Sequence, residues 1–306
     1  MNTVAVMFPG QGAQRLGMAR DFFESFPESK QAFDTASHGL GLDLAELCFN
    51  DETRLNLTEF TQPAILTAEI AIYRALQEQK GLQPSFFAGH SLGEYAALVA
   101  ADVIKLEDAV KIVRHRGALM QGAVPPGVGA MAACIHEAIQ ETDFFGIIAR
   151  AGAEAANINS PDQIVISGAK AEVQEAGRLL AIEIPKMRIV ALNVSAPFHS
   201  KLMAPIEPAF REFLATFLPR FNLTNAPKVL SNFTGEFHTA ESLSDALVRQ
   251  ISGPVRWLDN MKALANSKAQ VIEPGPMRVL SRFFSAVGGE SSAVTDLRTF
   301  ERLTLQ

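Results

Sequence analysis

Residues 86–97 read FFAGHSLGEYAA and constrain the chain more than any other stretch. Phe86, Phe87 and Ala88 are apolar and suit the end of a buried strand. Gly89-His90-Ser91-Leu92-Gly93 then matches G-x-S-x-G, and Glu94 to Ala101 contains neither glycine nor proline and reads as a helix. A strand, a tight turn carrying a serine and a helix together form the context of a nucleophile elbow. The flanking glycines let the backbone turn sharply and bring strand and helix close. Ser91 falls at a helix N-terminus, where free N–H groups and the helix dipole favour developing negative charge. The bare five-residue pattern also occurs in surface loops, so the strand before it and the helix after it carry the argument.

The chain alternates strands and helices around this elbow. Val4 to Phe8 is a short apolar strand running into Pro9-Gly10-Gln11-Gly12-Ala13-Gln14, a glycine-rich loop of the kind on which α/β folds build sites. The loop lacks the Lys-Ser/Thr ending of a P-loop and the spacing of a dinucleotide fingerprint, which argues against a nucleotide. Gln11, between two glycines, can offer N–H groups to a ligand, although an ordinary turn reads the same way. Residues 17–60 read as short helices and turns. Thr61-Gln62-Pro63-Ala64 reads as the start of a helix to about Lys80, with Pro63 in its first turn. Leu106 to Gln121 reads as another helix, acidic early and basic late as the dipole prefers.

Pro125-Pro126-Gly127 interrupts the pattern. Beyond it the sequence predicts a strand at 130–135, a helix at 136–143, and strands at 154–157 and 163–167 about a turn at Asn159-Ser160-Pro161. A helix at 170–182 and a strand at 187–190 follow. The order β-α-β-β-α-β is that of a ferredoxin-like unit, placed at 126–193 as an insert. Ser195 to Ser200 then leads into a helix through Phe217. A strand at 229–232, helices at 242–251 and 255–265, a strand at 270–273 and a helix to about Ala286 complete the chain. The expected fold class is therefore α/β, with a parallel sheet covered on both faces in a large domain at 1–125 and 194–306.

Composition narrows the function classes. At 48% hydrophobic and 20% charged residues the chain suits one large core or two domains, and its net charge of −6 argues against a nucleic-acid binder. No apolar run approaches the about 18 residues of a membrane span, and the first residues show no targeting pattern. Cytoplasmic location is the expectation. The two cysteines, Cys48 and Cys134, sit in apolar company and read as buried free thiols of a reducing compartment. Neither C-x-x-C nor H-E-x-x-H occurs, so no metal site is expected.

A serine nucleophile needs a base. Of the six histidines, His38 and His238 lie in polar stretches and are expected to be exposed. His136 opens a helix of the insert, and His90 leaves the elbow in another direction than Ser91 and is expected to pack or bond beneath the turn. His199 follows Pro197-Phe198 where the chain returns to the large domain and is the best candidate. No acidic residue stands out as a third member, so a backbone carbonyl is an alternative orienting group. Arg116, beside Arg114 and His115, reads either as part of a solvated basic helix end or as a fixed guanidinium for a carboxylate. In the second case the acyl substrate carries a free carboxylate.

The segments FPGQGAQ (8–14), FTQPA (60–64), GHSLGEY (89–95), RHRG (114–117), NINSPDQIVISG (157–168), APFHS (196–200), ALVRQISGPVRW (246–257) and EPGP (273–276) occur in order along nearly the whole chain. With them the sequence resembles the malonyl-CoA:acyl carrier protein transacylases and the related acyltransferase domains of polyketide synthases. The resemblance implies a hydrolase-like α/β domain with a ferredoxin-like insert. It implies Ser91 as nucleophile, His199 as base, and the backbone N–H groups of Gln11 and Leu92 as oxyanion donors. It implies Arg116 as partner of the malonyl carboxylate and the Gln250 backbone carbonyl as the group orienting His199. Gln62 and Asn159 would line the site, and Phe198 would crowd an α-methyl group. The implied partners are malonyl-CoA and a holo acyl carrier protein, with no metal or cofactor. Lys186, Arg188 and Lys201 are candidates for a basic patch that meets an acidic carrier. A trans-acting acyltransferase of a polyketide synthase shares the chemistry, and a serine acyl hydrolase is the remaining enzymatic alternative, against which Arg116 speaks.

Overall fold

The computed structural model describes residues 3–194 and 196–305, so Ser195 at the head of the APFHS segment lies outside them. The large domain opens with β1 (Val4–Phe8), α1 (Arg20–Ser25), α2 (Pro27–Leu40), α3 (Leu44–Asn50), α4 (Glu52–Leu55), α5 (Thr58–Lys80), β2 (Phe86–Gly89), α6 (Gly93–Ala100) and α7 (Leu106–Gly122). The small subdomain follows with β3 (Gly129–Ile135), α8 (Phe144–Arg150), β4 (Glu154–Ser160), β5 (Gln163–Ala169), α9 (Lys170–Glu183) and β6 (Arg188–Ala191). The chain then adds α10 (Glu207–Ala215), α11 (Leu243–Arg249), α12 (Trp257–Asn266), β7 (Gln270–Pro274), α13 (Leu280–Ser285), β8 (Ser291–Val294) and α14 (Leu297–Arg302).

The two sheets differ in kind. β2-β1-β7-β8 is parallel throughout, and β4-β5-β3-β6 is antiparallel throughout. β1 is completely enclosed, all five of its residues buried, as a central parallel strand with both faces covered must be. The second sheet has the strand order and β-α-β-β-α-β connectivity of a ferredoxin-like unit. Alternation along β3 divides its side chains between two cores. Met131 and Ala133 join the large apolar cluster with Val6, Phe8 and Leu92, while Ala132 and Cys134 join the smaller one with Phe144, Ile147 and Leu180.

Four segments depart from the sequence expectation. The first helix of the small subdomain is at 144–150, because Phe144, Ile147 and Ile148 form a buried i, i+3, i+4 stripe whereas 136–143 offers only Ile139. Helix α5 begins at Thr58, which puts Pro63 inside it rather than in its first turn. The 229–232 segment forms isolated bridges, Val229 to Phe87 and Leu230 to Phe237, and is not a ladder strand. β8 and α14 lie past the last expected helix. The edge strand β8 is only four residues long and half exposed, too short for an alternation signal, while Asp296 caps α14 by accepting from the Thr299 N–H at 2.8 Å. Glu273 of the EPGP motif is buried and accepts from the N–H groups of Val279, Leu280 and Ser281, which pins the start of α13 to the end of β7. Both cysteines are free and buried, and burial pushes the Cys134 thiol up to about 12. No helix among the described residues is long and apolar enough to cross a membrane.

Candidate active site

Ser91 sits where β2 hands over to α6, in the left-handed region with φ 52°. A Cβ on Gly89 would lie 1.9 Å from the Gly93 carbonyl oxygen, and one on Gly93 would lie 2.2 Å from the Phe8 carbonyl oxygen. Both distances are far inside van der Waals contact, so the turn closes only with glycine at these two positions. A non-glycine residue with positive φ is strained and persists where its surroundings hold it. Asn232 supplies that hold. Its Oδ1 accepts from the Ser91 N–H at 2.5 Å, and its Nδ2 donates to the Gly89 carbonyl at 2.7 Å.

The serine hydroxyl has two partners. It donates to His199 Nε2 at 2.8 Å and accepts from Arg116 Nη2 at 3.1 Å. His199 Nδ1 lies 2.7 Å from the Gln250 backbone carbonyl. A carbonyl only accepts, so the ring proton is on Nδ1 and the Nε2 lone pair faces Ser91, the tautomer a general base needs. Burial, and then the Arg116 charge, pull the His199 pKa from 6.5 down to about 3, with the Gln250 carbonyl opposing. The imidazole is therefore neutral in the fold. The unfolded chain takes up this proton near the ordinary 6.5, so protonation favours unfolding, and this contribution to stability declines as pH falls from 6.5 toward 3.

Arg116 comes from the middle of α7 and is 1% exposed, which rules out the solvated-helix reading. Its Nη1 donates to Gln62 Oε1 at 2.9 Å, and its Nη2 donates to Gln250 Oε1 at 2.8 Å. The guanidinium lies 5.6 Å from the centre of the Tyr95 ring. Among the described residues no carboxylate is within ion-pair distance of it. Burial holds its pKa below the ordinary value, with Tyr95 and Glu94 opposing. A buried cation without an anion in contact is a receptor for one.

Gln11 and Leu92 both line the cleft above Ser91. The Gln11 side chain is tied by Nε2 to Thr58 Oγ1 at 3.2 Å, while its backbone N–H and that of Leu92 have no partner among the described residues. Two unsatisfied N–H donors in one cleft with a serine hydroxyl are what an oxyanion hole requires. The cleft has a volume of about 130 Å³, and Gln62, Met120, Phe198, Met131, Asn157 and Leu192 are among the residues that line it.

Most of the expected residues thus converge here. Ser91, His199, Arg116, Gln62, Gln11, Leu92 and Phe198 line one cleft, and Gln250 lies behind it. Asn159 is placed differently. Its Oδ1 meets His90 Nε2 at 2.8 Å and its Nδ2 donates to Gln163, so it holds His90, which lines the cleft together with Asn157. His238, expected on the surface, is 1% exposed. Its Nε2 donates to Glu94 Oε1 at 2.7 Å, and the pair is what draws a polar loop inward. Glu94 and Asn232 were not singled out in the sequence. The one available signal was a glutamate two residues into an otherwise apolar helix.

The acyl transferase domain family matches residues 6–287. The malonyl CoA-acyl carrier protein transacylase of Staphylococcus aureus (strain COL) is 39% identical over 98% of this chain and 97% of its own length. An acyl carrier protein S-malonyltransferase from Vibrio cholerae superposes with a TM-score of 0.92 at 39% identity, covering 99% of this chain and all of that one. A malonyl-transacylase solved in complex with its type II PKS acyl-carrier protein superposes at 0.91 with 38% identity, over 98% of each chain.

Proposed function

The chain belongs to the malonyl-CoA:acyl carrier protein transacylases of the acyl transferase domain family, and from that premise we propose that Ser91 carries the malonyl group between two thiols. The enzyme is an acyltransferase that moves malonyl from malonyl-CoA to an acyl carrier protein. The observation that supports Ser91 as carrier is its double engagement, with the base at 2.8 Å and the guanidinium at 3.1 Å from one oxygen.

In the first half-reaction His199 Nε2 takes the Ser91 proton as Oγ attacks the thioester carbonyl. The oxyanion is met by the N–H groups of Gln11 and Leu92, each such donor being worth about 100- to 1,000-fold in rate. Collapse breaks the C–S bond, and the CoA thiolate leaves with the proton from His199. In the second half-reaction the carrier protein's phosphopantetheine thiol gives its proton to His199 and attacks the acyl-serine. Ser91 recovers its proton as it departs. The malonyl carboxylate sits on the Arg116 fork. Its arrival offsets one of the three influences that depress His199, so the base strengthens when the correct substrate is bound. In this reading the small subdomain, 126–193, supplies one wall of the cleft and the nucleophile, base and arginine come from 1–125 and 194–306. Asn159 acts through His90 rather than on the substrate. The reaction takes place in the cytoplasm, a setting supported by the two free, buried thiols.

Intact mass after brief mixing tests the cycle. A malonyl adduct that forms with malonyl-CoA and disappears only on addition of holo carrier protein is the expected result. An adduct lost to water at the same rate without carrier would make the protein a hydrolase. Offering carrier proteins of fatty-acid and of polyketide synthesis side by side decides between the two settings, and the PKS carrier complex of the structural relative is what keeps the second open.

Two further outcomes are expected. Phe198, 8% exposed, lines the cleft next to His199, and in this reading it crowds a branch at the α-carbon. Phe198→Ser should raise kcat/KM for methylmalonyl-CoA by about 10-fold or more, the scale of one methyl group in a fitted pocket; an unchanged preference removes the steric account. The base is active when neutral, so its depressed pKa widens the active range downward. kcat/KM for malonyl-CoA should stay level as pH falls through 6.5, with no inflection there. An inflection at that pH would show that His199 titrates as an exposed histidine.

A further inference from the structure

The transacylase reading leaves one buried anion without a role. Glu94, on the first turn of α6, is 0% exposed and accepts three hydrogen bonds. His238 Nε2 donates to Oε1 at 2.7 Å, Gln250 Nε2 donates to Oε2 at 2.7 Å, and the Asn232 N–H donates to Oε2 at 3.0 Å. Two of these donors belong to residues that hold the reacting groups. Asn232 braces the Ser91 backbone through its side chain. Gln250 orients His199 through its carbonyl and meets Arg116 through Oε1.

The amide of Gln250 has two ends, and its surroundings allow only one orientation. Glu94 and the Ser91 carbonyl are both acceptors and face Nε2, at 2.7 and 3.1 Å, so Oε1 turns to Arg116. The flipped amide would set donor against donor at the guanidinium and acceptor against acceptor at the carboxylate. A chain therefore runs from carboxylate through one glutamine to both cations of the reaction, the Arg116 guanidinium and the imidazolium that forms on His199. Charges this deep interact through a low effective dielectric, so an anion one residue away still counts.

We propose that Glu94 is a positioning residue that supplies, through Gln250, the negative charge that a triad acid supplies by direct contact with its histidine. The Gln250 carbonyl fixes the tautomer, and Glu94 stabilises the positive charge that builds up beside Arg116 when His199 takes the proton. His238 holds the carboxylate and is adaptable, since its Nδ1 is buried without a partner. If Glu94 becomes a glutamine, the new amide can donate to His238 Nε2 while the proton moves to Nδ1. The amide oxygen then keeps the bonds from Gln250 and Asn232. Glu94→Gln thus removes the charge and keeps the geometry.

The test is single-turnover acylation by malonyl-CoA for wild type, Glu94→Gln and Glu94→Asp, with thermal unfolding alongside. The expected result for Glu94→Gln is a fall in the acylation rate of about 10- to 100-fold, the scale of about 1.4–2.7 kcal/mol, with KM within about threefold of wild type. Glu94→Asp, which keeps the charge, should stay within about fivefold of wild type. An unchanged rate in a folded Glu94→Gln overturns the proposal, as does a loss in KM alone. If Glu94→Gln does not fold, a loss beyond 100-fold in folded Glu94→Asp overturns it instead. The wild-type adduct tests the underlying transacylase reading separately.

Discussion

Replacing Ser91 by alanine is expected to abolish the malonyl-enzyme and to lower transfer by about a millionfold, the scale seen when a serine nucleophile is removed from a hydrolase site. The size follows from what remains. Alanine keeps the Cβ, so the left-handed turn and its Asn232 brace persist, and the cleft keeps Arg116 and the two oxyanion donors. Malonyl-CoA should therefore still bind, and kcat should fall with KM little changed. His199→Ala should come close to the same loss, because the hydroxyl without its base is a poor nucleophile at neutral pH. The double variant should be hardly worse than either single one, since residues acting as a unit are not additive. Intact mass and a single-turnover assay read all three. A malonyl adduct of normal yield on the Ser91→Ala protein would move the nucleophile elsewhere.

Legibility in the sequence tracked locality. The elbow was readable because strand, turn, serine and helix are contiguous, and the two glycines that the turn demands are part of the pattern. The parallel sheet was readable as alternation, and the small subdomain as a β-α-β-β-α-β order. His199 was reachable by eliminating other histidines, but its distance from Ser91, 108 residues along the chain, hid the contact itself. Arg116 was ambiguous because the same RHRG segment holds an exposed-type partner. Arg114 reaches a half-buried Glu59, and its neighbour two positions on turns inward. The Glu94–His238 pair was illegible for a stronger reason. Each residue alone has the character of a surface group, and burial is tolerable because His238, 144 residues away, meets Glu94 together with Gln250 and Asn232. The same holds for Asn159, whose contact is His90, and His90, expected beneath the turn, lines the cleft.

Arg116→Ala carries the second-largest expected effect. The guanidinium is spread over Gln62, Gln250 and Ser91 Oγ, three neutral acceptors. A malonyl carboxylate replaces part of this with a charge-assisted pair in a desolvated cleft. Truncating one partner of such a buried pair costs about 2–5 kcal/mol, about 30- to 4,000-fold in kcat/KM for malonyl-CoA. Acetyl-CoA has no carboxylate and leaves the wild-type cation unmatched, so it should gain from the same change, and the malonyl-to-acetyl ratio should collapse toward one. The variant should also be less stable. Its loss leaves the Gln62 and Gln250 amide oxygens without their donor and the Glu94 charge without its counterpart, so thermal unfolding belongs in the comparison. Arg116→Lys retains the charge but not the fork and should recover part of the malonyl preference. With the guanidinium gone, one of the two main influences that depress His199 is gone too, so the acid limb of the rate profile should move up toward the ordinary histidine value of 6.5. A ratio that stays high in Arg116→Ala, with malonyl transfer intact, would leave the arginine as a structural cation and require another carboxylate site.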